Sequence, residues 1–305
     1  MKIPFLYLLQ RKRFYFSLAI AGFLLFTYDA LTLRENDSKF QSLLNRNQLG
    51  YRSYVYYYKE AQRRLRYVEV GGDSLPLIVF IHGAPSSSAF WRNLLTDSAL
   101  LRRARLLAVD RPGYGYSGYG RPETSVKEQA RLIAQVLKEK RDAYKKIIIH
   151  GSSYGGTVAA RLAMDYPHLV DGLLLQSASV EPGAEKTYDI TYPTSHWLIE
   201  WLIPGSLKVA NHEKLSHRQQ LEYMRPLWHR ITSPTIILQG DQDDLIYPSN
   251  AAYAERQLTN ADWVEKIIAR GSAHDLLWTR RELLVASLLK LLGDANYTNL
   301  NAFND

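Results

Sequence analysis

Short apolar runs punctuate the chain from about residue 64 onward, each followed by an amphipathic stretch. Residues 77–81 (LIVFI), 105–109 (RLLAV), 145–149 (KKIII), 172–176 (GLLLQ), 235–239 (TIILQ) and 265–269 (EKIIA) are the runs. Continuous rather than alternating apolarity predicts strands with both sheet faces covered. The clearest helix lies between the second and third runs, in TSVKEQARLIAQVLKEK at 124–140. Val126, Ala130, Ile133 and Leu137 share one of its faces, and Ser125 with Glu128 has the spacing of a capping box. Strand and helix alternating in this way predict an α/β fold: a mostly parallel sheet with helices on both faces. The tyrosine-rich stretch 51–72 predicts two antiparallel strands ahead of it, with a half-buried β surface.

The alternation stops between Glu181 and Ser233. HWLIEWLIPGSL and HRQQLEYMRPLWHR read as helical there, so a small helical cap of about fifty residues interrupts the core, and insertions of that length usually cover a site. The expected organisation is an N-terminal segment (1–33), a core in two parts (34–180 and 234–293), the cap (181–233) and a polar, frayed tail (294–305).

Composition narrows the function classes. The 305 residues are 46% hydrophobic and 22% charged, ordinary for a globular protein. The formal charge of +8 shrinks on inspection, because Lys2, Arg11, Lys12 and Arg13 carry four of it and leave +4 for the rest. No basic stripe is interleaved with aromatics, so no nucleic-acid partner is expected. The absence of cysteine removes disulfides, thiolate catalysis and thiolate metal sites. No His/Asp/Glu cluster has ligand spacing either, so neither a metal nor a cofactor is expected.

Arg11, Lys12 and Arg13 precede the uncharged run Phe14–Tyr28, the basic-then-apolar order of an export signal. At 1.5 Å per residue that run reaches about 22 Å, short of a roughly 30 Å hydrocarbon core unless it extends past Asp29 to Leu33. No small-x-small cleavage site follows. Residues 1–33 are therefore expected to anchor the chain in a membrane. The basic flank then leaves the rest of the chain on the non-cytoplasmic side, periplasmic in a bacterium. Secretion after signal cleavage is the alternative.

Candidate chemistry begins at Gly151-Ser152-Ser153-Tyr154-Gly155. This is G-x-S-x-G between an apolar run and a helical one, the setting of a nucleophile elbow. Only Ser153 has glycine two places away on both sides. Such a turn presents the hydroxyl at a helix N-terminus, where the dipole and free N–H groups favour developing negative charge. A serine hydroxyl needs a base, and the base needs an orienting carboxylate. His168, His196, His212, His217, His229 and His274 follow Ser153, and only His274 lies in a loop after the last predicted strand. Asp241, Asp243 and Asp244 end the strand before it.

Five co-ordered pieces, RYVEVGG, FIHGAP, AVDRPGYGYSG, GSSYGG and the pair GDQDDLIYP with GSAHDL, resemble the α/β-hydrolase superfamily over about residues 64–292. The branch resembled includes esterases, lipases and haloalkane-dehalogenase-like enzymes. The resemblance implies the α/β-hydrolase fold and the chain order Ser, acid, His. It makes Ser153 the nucleophile, His274 the base and Asp243 the acid, because Gly240 through Asp243 resembles the family's G-x-x-D turn; Asp244 stands second. It also implies oxyanion-hole N–H groups from Ala84 and Tyr154. His82 resembles a loop brace and Asp110 a structural loop residue, and His150 is assigned no chemistry. Dehalogenase and epoxide-hydrolase relatives use aspartate as nucleophile, so serine at 153 points away from both.

The expected function is hydrolysis of an ester of a small or medium apolar substrate, by acyl transfer to Ser153 and then to water. Trp197, Trp201 and Trp228 in the cap are the candidate substrate-binding residues, with packing of the cap as the alternative role. A peptidase or amidase is the second reading, for which Glu200 and Glu213 would have to meet a substrate amine. A non-catalytic, membrane-anchored binding protein is the third.

Overall fold

The computed structural model describes Tyr15, residues 32–60 and residues 63–303. Eight strands form one sheet: β1 Ser53–Glu60, β2 Arg63–Val70, β3 Leu77–Ile81, β4 Arg105–Val109, β5 Ile147–Ser152, β6 Gly172–Gln176, β7 Thr235–Gly240 and β8 Val264–Ala269. Their order is β1-β2-β4-β3-β5-β6-β7-β8. β2 runs antiparallel to β1 and β4, and every other neighbouring pair is parallel. The continuous apolar runs predict a mostly parallel sheet, and this is one, in the α/β-hydrolase arrangement that the resemblance implies.

β3 shows why its run is apolar throughout. Leu77, Val79 and Ile81 point into one core, while Ile78 and Phe80 point into the other. The longer helices are α1 Asp37–Leu44, α2 Val126–Lys140, α3 Tyr154–Asp165, α4 Gly205–Met224, α5 Ser249–Gln257 and α6 Arg281–Leu292. α2 and α3 fill the first core, and α1 and α6 fill the second. β5 starts at Ile147 rather than Lys145 because the two lysines stay outside the buried run. The capping box of α2 forms by half: Glu128 N donates to Ser125 Oγ at 3.2 Å, but the Glu128 carboxylate turns to Arg131 instead.

Between β6 and β7 the chain makes only helical elements, ending in the 20-residue α4 and a 3-10 turn over Arg225–Arg230. The C-terminal stretch packs against the core as far as it is described. Leu300 is fully buried, and Tyr297 and Phe303 stack at 5.9 Å while packing against the core. Three apolar side chains spaced by three residues outweigh the polar ones between them.

The expectation of a membrane anchor with a non-cytoplasmic domain is corrected here. Among the described residues no helix is long and apolar enough to cross a membrane. Even α4, at 20 residues, carries Lys208, His212, Glu213, Lys214 and Arg218 along its length. The segment that carried the expectation, Phe14–Tyr28, lies outside the described residues apart from Tyr15.

Candidate active site

β5 ends at Ser152, and Ser153 turns the chain into α3 with φ 56° and ψ −126°. A non-glycine residue at positive φ stores roughly 1–3 kcal/mol of strain, so the surroundings must hold it. They do so through the backbone: Ser153 N donates to Gln176 O at 3.0 Å, and Ser153 O accepts from Gly156 N at 2.9 Å and Ser179 N at 3.2 Å. Gly155 is required because a Cβ there would lie 2.2 Å from Ile81 O. That close approach brings the loop after β3, with Gly83 and Ala84, onto the elbow. The Ser153 hydroxyl caps nothing and, among the described residues, has no hydrogen-bond partner.

Register sets the rest at the same sheet edge. Ser152 pairs with Gln176, Gln176 with Leu238, and Leu238 with Ile267, so the loops leaving β5, β6, β7 and β8 emerge side by side. Asp243 lies three residues past β7 and His274 five past β8. At the end of β7 a Cβ on Gly240 would strike Ser272 O at 2.3 Å, which is how the two loops meet. His274 Nδ1 lies 2.8 Å from Asp243 Oδ2. The Asp243 side chain is fully buried and that of His274 is 24% exposed. Asp243 Oδ1 accepts from Leu245 N at 3.0 Å and Ile246 N at 2.8 Å. Burial alone would push the Asp243 carboxyl up, but His274 and the Ile246 N–H outweigh it and hold the pKa below the usual carboxylate range. Gln239, which no motif marks, donates to Asp243 Oδ2 at 3.2 Å and to Ile246 O at 3.0 Å, steadying the same turn. Asp244 points away, with Lys186 at 3.7 Å as its ion partner.

A cavity of about 280 Å³ opens beside Ser153. Ala84 and Tyr154 line it together with Ser153, and Ile190, Leu207, Ala210 and Ile246 supply much of its apolar wall. None of the three tryptophans lines it. Trp197 and Trp201 are 73% and 75% exposed, and Trp228 is 2% exposed with its ring edge against Tyr253. The reason is helical phase. The wall is built by the α4 face carrying Leu207, Ala210, Asn211, Lys214 and His217, spaced three and four apart.

His217 is buried, and its Nε2 meets Thr157 Oγ1 at 3.1 Å. The Thr157 hydroxyl already donates to Ser179 O at 2.5 Å, so His217 Nε2 must be the donor to it. His217 Nδ1 is then a bare acceptor, with no partner among the described residues. Burial, with the positive charges of Lys214 and Arg111, pushes the His217 pKa down to about 3, and the ring is neutral.

A buried ion pair ties α4 to the loop after β3. Arg111 and Glu213 are both fully buried and meet at 2.5 Å. Arg111 also donates to His82 O at 2.8 Å and Gly83 O at 3.0 Å, while Tyr114 and Gln129 donate to Glu213 at 2.7 and 2.8 Å. His82 braces the same corner, accepting from Arg111 N at 3.0 Å. Asp110 is likewise spent on structure, accepting from Ser88 N at 2.7 Å and Arg66 at 3.0 Å. Removing one partner of a fully buried pair strands the other, so Glu213→Ala is expected to cost about 3–5 kcal/mol. The drop in the urea midpoint measures it, and a loss below about 1 kcal/mol would contradict the strut.

Similarity to known proteins agrees with this architecture. Residues 76–198 match the family described as alpha/beta hydrolase fold. Among curated relatives, Epoxide hydrolase 1 of Caenorhabditis elegans is 35% identical over 120 residues, 39% of this chain and 29% of that one. The pimeloyl-[acyl-carrier protein] methyl ester esterase of Proteus mirabilis is 34% identical over 113 residues, 37% of this chain and 40% of that one. The matched stretch thus spans less than half the length of either relative. Among solved structures, the esterase EaEST from Exiguobacterium antarcticum superposes with a TM-score of 0.62 at 18% identity, covering 79% of this chain and 100% of that one. With the sheet order, the elbow and these likenesses in agreement, the chain has the α/β-hydrolase fold, and its residues 76–198 match that family.

Proposed function

We propose that this chain is a serine hydrolase that cleaves an ester of a small or medium substrate by acyl transfer to Ser153 and then to water. The observation that carries the reading is the 2.8 Å pair of Asp243 and His274 on the sheet edge where the strained elbow leaves the Ser153 hydroxyl uncommitted. Asp243 is acceptor-only when ionised, so it holds the proton on His274 Nδ1 and leaves Nε2 as the base. His274 takes the Ser153 proton as the oxygen attacks the carbonyl, then returns it to the leaving alcohol; water repeats the sequence on the acyl-serine. The N–H groups of Ala84 and Tyr154 donate to no other group among the described residues, and both residues line the cavity, which supports the reading of them as oxyanion donors. Each such donor contributes on the order of 10²–10³ in rate.

Serine in the elbow favours ester chemistry over the epoxide opening named for the Caenorhabditis elegans relative, which in that branch needs a carboxylate nucleophile. The amine-binding role considered for Glu200 and Glu213 has no support in the geometry. Glu213 is spent on Arg111, Glu200 on Lys208 and His212, and neither lines the cavity. Labelling with a fluorophosphonate probe tests the reading: the natural chain should label and Ser153→Ala should not. A folded natural chain that stays unlabelled would overturn it.

A further inference from the structure

Among the described residues lining the cavity beside Ser153, Lys214 is the one charged side chain. Among the described residues it makes neither an ion pair nor a hydrogen bond. Of the charges that act on it from outside the lining, Glu185 attracts it more than Lys186 repels it, but neither lines the cavity or pairs with it. Burial pushes the Lys214 pKa below the usual lysine value, as happens to an ammonium that has lost water and that Glu185 compensates only in part. His217, three residues further along the same face of α4, is neutral, so it neither adds to this charge nor cancels it.

An ammonium without an ion pair in a largely apolar cavity is unfavourable in the empty site and is relieved when an anion enters. We propose that the substrate is an ester bearing a carboxylate remote from the scissile bond, and that Lys214 seats that carboxylate. The proposal rests on the hydrolase reading above and names its substrate class. A single cation with neutral neighbours suits a single negative charge, which favours carboxylate over a phosphate dianion. At about 280 Å³ the cavity sits at the low end of ligand sites, which span roughly 300–1,000 Å³, so the acid is a short one. The ester carbonyl meets Ser153 at one end, the methylenes lie along Leu207, Ala210 and Ile246, and the carboxylate reaches α4 at Lys214.

Monomethyl adipate and methyl hexanoate, differing in the terminal carboxylate, provide the test, with acid release followed by titration. The natural chain should favour the charged ester in kcat/KM by about tenfold or more, the scale of one charge-assisted hydrogen bond. In Lys214→Met that ratio should fall toward one, chiefly through KM for the charged ester, and Lys214→Arg should restore most of it. A natural chain that prefers the neutral ester, or a ratio that Lys214→Met leaves unmoved, would overturn the proposal. Titration calorimetry with adipate separates this failure from failure of the hydrolase reading. With no turnover of either ester, adipate binding that Lys214→Met abolishes still supports the subsite, and no binding to the natural chain rejects it.

Discussion

Ser153→Ala is expected to lower kcat/KM for a short p-nitrophenyl ester by on the order of 10⁵–10⁶ while leaving the urea midpoint almost unchanged. The two halves of that result have separate causes. In the proposed mechanism the hydroxyl is the attacking atom, so its removal leaves only the smaller contribution of the proposed oxyanion donors and of binding. Stability holds because alanine keeps the Cβ that the φ of 56° already strains, and because the lost hydroxyl caps nothing and bonds to nothing among the described residues. Ser153→Gly separates the terms further. It removes the same nucleophile but relieves the left-handed backbone, so it should be more stable than Ser153→Ala by about 1 kcal/mol. Turnover within tenfold of the natural chain in either variant would remove Ser153 from the mechanism.

A second large effect is acid sensitivity. His82, His150 and His217 are all held neutral by burial. The Arg111 charge adds to this at His82, and Lys214 and Arg111 add to it at His217, whereas the Gln176 hydrogen bond opposes it at His150. His150 and His217 are pushed down to about 3, and His82 well below 6.5. Once unfolded, each regains a pKa near 6.5. As the pH falls below 6.5 the unfolded chain therefore binds protons that the folded chain refuses, and stability is lost through that window down to about 3. Each group contributes up to about 1.4 kcal/mol per pH unit, so the three together approach 4 kcal/mol per unit. Urea midpoints at pH 7, 6 and 5 measure the slope largely above the range in which carboxylates titrate. His217→Gln should flatten it by about a third, and a slope no steeper than one histidine gives would show that the rings are protonated in the fold.

Much of the fold and of the proposed catalytic set is legible in the amino-acid order. The strands announce themselves because each is covered on both faces, so Leu77 through Ile81 must be apolar at every position whatever lies above or below. The elbow is legible because part of its constraint is local: a Cβ on Gly151 would lie 2.4 Å from Gly155 O, four residues on. Asp243 and His274 follow from short turns after apolar runs, although choosing Asp243 over Asp244 needs the resemblance to a family, and the choice fits the one carboxylate that faces inward.

The α4 wall is not legible in this way. Glu213 and Arg111 stand 102 positions apart, and nothing along the chain marks them as a buried pair. Lys214 reads as an ordinary surface lysine on a polar helix, and the exposed tryptophans read as better pocket residues than the alanine and leucine that line it. Which face of α4 meets the site depends on how the helix rotates when Val209, Glu213, His217 and Leu221 are buried together. The sequence alone determined the sheet, the elbow and the order of its partners, because periodicity and glycine sterics act over a few residues. Only the tertiary structure decided the cavity wall and its charge, because rotation of a helix against a sheet is set by packing between residues distant in the chain.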